Sequence, residues 1–353
     1  MSVKYTPVGW NRNKLVYDLV LIVAVGLYIY VFVRLAPRFA DLTRPLDGAM
    51  LRAEAFGTCA FLMLTLILCI GPLARLDRRF LPLLYNRRHF GVMTCAIAFV
   101  HASHVLGWYF SLSPTDPYVA LLGANTSFGR VAGFPFELFG IAALAILLVL
   151  AVTSHDFWLA FLTPPVWKAV HMLVYAAYAA VVLHVALGAL QSDANPALTA
   201  VVTAGTVAVC GFHLAAGLRE RAADLGPAGG VGEDCWLVAA RAADISDGRA
   251  VVVPVPGGER VAIFRDGARL GAVSNVCAHQ NGPLGEGRLI DGCVTCPWHG
   301  FQYRLADGCA PPPYTEKIAT YRLKLEAGLV LLDPRPNRPG TRVDPIHAPR
   351  DRA

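Results

Sequence analysis

The sequence predicts a multidomain chain: a six-helix transmembrane bundle followed by an all-β metal-binding domain. Three observations carry this reading. The composition is 55% hydrophobic and only 16% charged, against about 25% charged in an ordinary soluble domain. Six apolar segments before residue 221 each approach the roughly 20 residues that a helix needs to cross hydrocarbon. The stretch "CAHQNGPLGEGRLIDGCVTCPWH" (277–299) then places two Cys–His pairs inside a polar, strand-patterned C-terminal part.

The apolar segments fall near 15–36, 50–72, 90–110, 134–153, 167–190 and 197–218. Clusters such as "APRFADLTRP" and "SDANP" close them, as helix-breaking residues do. Basic residues set the orientation. Lys4, Arg12 and Lys14 precede the first span, Arg75, Arg78, Arg79, Arg87 and Arg88 follow the second, and Arg219 and Arg221 follow the sixth. The alternate loops carry fewer: Arg38, Arg44 and Arg52, then Arg130. Basic loops remain cytoplasmic, so both termini are expected in the cytoplasm and the chain in a bacterial inner membrane, surrounded by lipid. The pI near 8.9 therefore reads as membrane topology and not as nucleic-acid binding. No small-residue cleavage site follows the first apolar run, so that run is expected to stay as the first span.

These patterns give a membrane domain over 1–221, a Gly/Pro-rich linker over 222–234, a β domain over 235–335 and an irregular Pro/Arg-rich tail over 336–353. Short runs such as "WLVAA", "AVVVPV", "RVAIFR", "LGAVS", "YRLKLE" and "LVLLD" alternate with turns such as "RDG", "IDG" and "ADG", the pattern of an all-β fold. Cys59, Cys69, Cys95 and Cys210 lie in apolar runs and are expected as inert core thiols. Cys293 and Cys309 are expected as free thiols, with a disulfide between them as the alternative.

Two thiols and two imidazoles can hold zinc, but structural zinc motifs usually group Cys with Cys and His with His. Here each pair mixes the two. That suits a [2Fe–2S] cluster with one iron on two thiolates and the other on two imidazoles, which raises the potential above that of an all-Cys cluster. Residues 235–333 resemble the Rieske iron–sulfur domain in both ligand loops, in the Gly-Pro-Leu after the first loop and in "CPWHGFQY". The resemblance implies Cys277, His279, Cys296 and His299 as cluster ligands, with the His-bound iron at the exposed edge. High-potential members of that family carry a disulfide between the two ligand loops, at positions that are Gly282 and Trp298 here. Their hydroxyl two residues after the last ligand is Phe301 here, although Tyr303 follows. The resemblance is therefore to the lower-potential ferredoxin or oxygenase-associated type, which suits a cytoplasmic location.

Histidine in hydrocarbon marks a functional site by default. His101, His104, His171, His184 and His213 lie in apolar spans, and His89 opens the third. His104 and His213 are read as packing residues. "RRHFGVMTCAIAFVH" (87–101) and the 150–184 stretch with "VWKAVHMLVY" are similar to the ferric-reductase-like transmembrane family. Within it they resemble the haem-binding membrane subunit of bacterial periplasmic methionine-sulfoxide reductase systems. That resemblance implies His101, His171 and His184 as residues associated with b-type haem. Depth then decides the pairing. His101 lies roughly 20 Å beyond Arg88, His184 roughly 24 Å beyond Lys168, and His171 only about 4.5 Å beyond Lys168 by helix rise. His101 and His184 make the natural pair. His89 matches the depth of His171, so a second haem between them is one alternative. A propionate- or quinone-binding role for His171 is the other.

No strand–GxGxxG–helix unit follows the membrane domain, so no nicotinamide or flavin module is expected. The chain then reads as an electron-transfer component carrying a Rieske [2Fe–2S] cluster and one or two haems b. A cytoplasmic flavoprotein or ferredoxin would be the donor, and a quinone or periplasmic redox protein the acceptor. The alternatives are a terminal quinone or ferric reductase, with Glu137 and Asp116 relaying protons, and a redox- or haem-sensing module.

Overall fold

The computed structural model describes residues 12–39, 48–84, 87–112, 114–155, 158, 161–162, 164–192, 196–225, 236–279, 281–298, 300–312 and 314–348. The described residues of 10–75 and 86–215 form one compact unit, and those of 76–85 and 216–353 form the other.

The first unit is helical: α1 (Arg12–Phe39), α2 (Gly48–Leu76), α3 (Arg87–Leu112), α4 (Pro117–Gly123), α5 (Glu137–Thr153), α6 (Pro164–Met172), α7 (Val174–Leu187) and α8 (Pro196–Leu225), the last running on into the second unit. Among the described residues, five helices or runs of helix are long and apolar enough to span a membrane: Leu15–Pro37, Gly48–Leu76, Arg87–Phe110, Val166–Gln191 and Pro196–Arg221. The expected span over 134–153 is a helix of 17 residues, about 25 Å by helix rise. That falls short of a hydrocarbon core of about 30 Å. Its start is fixed by Pro135 and by Glu137 in the first turn, where the helix dipole favours a carboxylate. The span expected over 167–190 is two segments, broken at Leu173 but keeping its direction, since that residue holds near-helical angles (φ −61°, ψ −12°).

The second helix lies at the centre of this unit. Phe61, Leu64, Leu68 and Cys69 from α2 pack with Cys95 of α3, Leu147 of α5, Ala177 and Tyr178 of α7, and Val202 and Val209 of α8. Inside this layer the Thr65 hydroxyl donates to the Phe61 carbonyl at 2.8 Å and meets the Tyr178 hydroxyl at 3.1 Å. Such interhelical bonds contribute about 0.6 kcal/mol in a bilayer. The α1 surface is instead open, with Leu19, Val20, Val23, Leu27 and Tyr30 exposed, as a lipid-facing helix requires. Cys59, Cys69 and Cys95 are buried as expected, whereas Cys210 is exposed on α8.

The second unit is β-rich. One sheet has the order β1 (Leu237–Arg241), β10 (Leu329–Leu332), β9 (Leu323–Glu326). A second runs β11 (Ile346–His347), β4 (Arg269–Ser274), β3 (Val261–Asp266), β2 (Ala250–Val253), with β8 (Thr320–Tyr321) also on β4. A third, of three-residue strands, runs β5 (Arg288–Ile290), β6 (Cys293–Thr295), β7 (Gln302–Arg304). Two hairpins turn on residue pairs with positive φ. These are Asp291 (49°) with Gly292 (71°), and Ala327 (48°) with Gly328 (78°), as type I′ turns demand.

The chain after 335 differs from the expected irregular tail up to residue 348. Ile346 pairs with Leu270, Val343 N–H donates to Ala306 O at 2.8 Å, and Ala348 is fully buried. The buried Arg265 explains this. Its guanidinium donates to the carbonyls of Ile245 at 2.7 Å, Ala348 at 3.0 Å, Gly267 at 3.2 Å and Ala242. Arg265 on β3 thus holds the terminal segment by its backbone, which composition does not reveal.

Asp333, after β10, is buried and takes a two-pronged ion pair from Arg335, Nε–Oδ1 2.9 Å and Nη2–Oδ2 3.0 Å. The Arg335 hydrogen bond holds its carboxyl below the usual carboxylate range. A depressed pKa contributes stability that is present above the unfolded-state value and lost as pH falls through the folded one. Melting of the purified chain should therefore fall on acidification into the carboxylate range. Asp333→Asn should lose about 1.5 kcal/mol at neutral pH, the weight of a charged hydrogen bond, and should converge with wild type in acid. Parallel curves at all pH values refute the assignment.

Candidate metal centres

Two loops of one shape lie between β4 and β5 and between β6 and β7. In the first, Cys277 N–H donates to Gly282 O at 2.9 Å and Asn281 N–H to Cys277 O at 2.7 Å. In the second, Cys296 N–H donates to Phe301 O at 2.8 Å and Gly300 N–H to Cys296 O at 2.9 Å. The fifth residue of each loop takes the left-handed conformation, Asn281 at φ 57° and Gly300 at φ 73°. Asparagine and glycine are the residues that tolerate it most readily. The loops meet at Gly282, where a Cβ would stand 2.8 Å from Cys296 Sγ and 3.1 Å from the Trp298 ring. Only glycine leaves that approach open. The positions that carry a disulfide in the high-potential type thus face each other here without one, and no disulfide exists among the described cysteines, Cys293 and Cys309 included.

Cys277 and Cys296 are buried, and His279 Nδ1 is buried too. The His279 ring stacks on Phe301, centroids 4.9 Å apart and planes 11° apart. Beneath both loops lies Tyr303, fully buried, with its hydroxyl 3.4 Å from Cys277 Sγ and accepting the His279 N–H at 3.2 Å. Burial, then the Cys277 sulfur, pushes the Tyr303 phenol up, so the hydroxyl stays protonated and is placed to donate to a thiolate at Cys277. Phe301 supplies no hydroxyl, whereas Tyr303 does, a residue the sequence displays without revealing its reach. Two buried thiols, a half-buried imidazole and a glycine-lined approach fit a [2Fe–2S] group. His299 lies outside the described residues. Tyr303→Phe should lower the cluster midpoint by about 40 mV, a hydrogen bond of about 1 kcal/mol at about 59 mV per tenfold for one electron. An unchanged midpoint removes Tyr303 from the account.

In the helical unit, His101 and His184 face each other, ring centroids 6.3 Å apart and planes 81° apart. His101 Nδ1 lies 2.8 Å from Ala53 O on α2, and His184 Nδ1 lies 3.0 Å from Phe136 O at the start of α5. A carbonyl only accepts, so each Nδ1 carries the proton and each Nε2 keeps its lone pair. His171 lies apart, stacked on Trp167 at 3.7 Å, its Nδ1 3.0 Å from Trp167 O and its Nε2 3.4 Å from Ser154 Oγ. His89 turns toward Asp18 of α1, Nδ1–Oδ2 2.7 Å, a partner the sequence reading missed. His104 packs on Phe56 at 5.4 Å, and the His213 Nε2 meets the Tyr175 hydroxyl at 2.9 Å. Glu137 is buried and accepts from Asn125 Nδ2 at 2.6 Å. Asp116 caps α4 by accepting from Tyr118 and Val119 N–H.

Two family models match. Residues 56–182 match the ferric reductase like transmembrane component and residues 235–322 the Rieske [2Fe–2S] domain. Together they define a membrane electron-transfer protein. The chain belongs to the Rieske [2Fe–2S] family, its Rieske domain following a ferric-reductase-like transmembrane domain. The anthranilate 1,2-dioxygenase ferredoxin subunit of Burkholderia cepacia is 37% identical over 79 residues, 22% of this chain and 71% of that protein. The 3-phenylpropionate/cinnamic acid dioxygenase ferredoxin subunit of Shigella flexneri is 31% identical over 102 residues, 28% of this chain and 92% of that protein. Among solved structures, a Sphingomonas yanoikuyae B1 ferredoxin is 28% identical over 28% of this chain and 97% of its own, with a TM-score of 0.26.

Proposed function

We propose that the protein carries single electrons across a bacterial inner membrane, between a cytoplasmic flavoprotein or ferredoxin and a quinone or periplasmic redox protein. Cys277, His279, Cys296 and His299 hold the [2Fe–2S] cluster, and His101 and His184 hold a haem b. Each cofactor supplies a one-electron couple, and the protein positions and tunes it. The kinship of residues 235–322 with ferredoxin subunits of dioxygenases supports a carrier role for that domain.

The observation that carries the haem assignment is the 6.3 Å between the His101 and His184 rings. Two metal–imidazole bonds of about 2 Å, with about 1 Å from each ring nitrogen to its centre, come to about 6 Å. That spacing leaves room for one metal between the two imidazoles, each of which keeps a lone pair on Nε2. For a second haem, His89 with its Asp18 partner and His171 against Trp167 have separate surroundings, and this favours a role for His171 at the haem edge or a quinone. The chain is read as six spans, the short α5 included, with a membrane domain over 1–221, both termini cytoplasmic, and a Rieske unit from 235 that takes in the strand at Ile346–His347. A redox titration of the purified protein, following haem absorbance and cluster EPR together, tests the assignment. Two separable one-electron transitions are expected, and a single one refutes it. A reporter fused after Ala353 should behave as cytoplasmic. Periplasmic activity inverts the proposed path.

A further inference from the structure

His101 and His184 share a feature that sets them apart from His171 and His213. The latter two bond the carbonyl four residues back on their own helix, Trp167 O and Val209 O. His101 and His184 each bond a carbonyl on a different helix, and in both cases a glycine stands four residues after that carbonyl. Ala53 is followed by Gly57, and Phe136 by Gly140. A Cβ at Gly57 would lie 2.9 Å from His101 Nδ1, and one at Gly140 would lie 2.8 Å from His184 Nδ1. Non-bonded atoms prefer about 3.5–4.0 Å, so any side chain there displaces the imidazole.

We propose that Gly57 and Gly140 are matched positioning residues for the haem histidines, each opening a notch in which the ring seats so that its Nδ1–H donates to the carbonyl one turn earlier. The inference rests on the reading that His101 and His184 bind the haem. A helical carbonyl keeps a second lone pair after accepting its own N–H, and a missing side chain exposes it sideways. Each notch does two things. It fixes the tautomer, leaving Nε2 as the metal-binding atom, and it fixes the plane of the ring. Anchoring the other ring nitrogen is how proteins orient and tune metal-bound histidine. Because the notches lie on two different helices, α2 and α5, the two planes are set independently, at 81° to one another.

That angle has a spectroscopic signature. Crossed imidazole planes leave the two iron dπ orbitals that they perturb nearly equal in energy, so low-spin ferric haem shows one dominant, strongly anisotropic low-field EPR feature. Parallel planes split those orbitals and give three resolved features. Gly205 provides the control, because a Cβ there would meet the Phe61 ring at 3.1 Å, in the same bundle but against no histidine.

The experiment compares wild type, Gly57→Ala, Gly140→Ala and Gly205→Ala as full-length purified protein, by EPR of the oxidised haem and by haem loss to excess apomyoglobin. Wild type should give the single anisotropic feature. Gly57→Ala and Gly140→Ala should shift it and speed haem loss about tenfold, the weight of one hydrogen bond. Gly205→Ala should match wild type in both. The proposal is overturned if the two notch variants match wild type, or if Gly205→Ala moves the spectrum as far as they do. Should the notch variants not assemble, the wild-type spectrum alone decides, and three resolved features refute the locked planes. Failure of the underlying reading looks different: His101→Ala and His184→Ala would then keep the full haem complement.

Discussion

Serine at Cys277 or Cys296 abolishes the rhombic Rieske EPR signal of the reduced protein and leaves haem absorption at its wild-type level. The loss should be complete, because a serine hydroxyl is a harder and far weaker ligand for iron than the soft thiolate that such clusters require. Both sulfurs also belong to the inner packing of the Rieske domain, together with Leu284, Val294, Phe301 and Tyr303. Losing the cluster therefore removes a brace between the two loops, and metal binding there is part of folding. The domain's melting temperature should fall with the signal, while helix-derived circular dichroism persists. Purified wild-type protein containing zinc and no iron would overturn the cluster assignment outright.

The second large effect concerns the facing imidazoles. His101→Ala and His184→Ala should each remove the same haem, read as the haem-to-protein ratio and the reduced α-band, because a haem held by these two imidazoles would lose one of its two strong protein bonds. His171→Ala should spare that haem. By helix rise His101 and His184 differ by roughly 5 Å in depth and His101 and His171 by about 15 Å, and a tilt of about 20° changes these by only a few ångströms. If His171→Ala loses all haem while His184→Ala keeps it, the pairing is wrong. If wild type carries two haems and His171→Ala one, His89→Ala is the next variant to measure.

Much of this was legible in the sequence because two of its signals are chemically specific. Hydrocarbon tolerates long apolar helices and little else, so five span positions agree to within a few residues. Paired Cys and His at fixed spacing point to a Rieske domain, and residues 235–322 match that family model. The remainder was hidden for identifiable reasons. Strands β5, β6 and β7 are three residues each, too short for an alternating pattern to register. The placement of Ala348 depends on Arg265, about 80 residues earlier, and composition has no memory of such a distance. Tyr303 was visible as a residue, but its reach to Cys277 is a property of the fold. Gly57 and Gly140 looked like ordinary glycines in apolar runs. Their meaning appears only when His101 and His184 are seen lying against them.

The shortness of α5 has a consequence for the solvent. A helix about 25 Å long mismatches a bilayer core of about 30 Å, and a mismatched helix is accommodated by local thinning of the lipid. Its first turn is where Phe136 holds His184, and Asn125 and Glu137 add polar groups at the same end. If α5 spans as proposed, the dimple that such a mismatch draws into the leaflet would lie over the imidazole pair. Headgroups and water would then approach the pair more closely than its count of residues along the span implies, and the last tunnelling step to the proposed acceptor would be shorter.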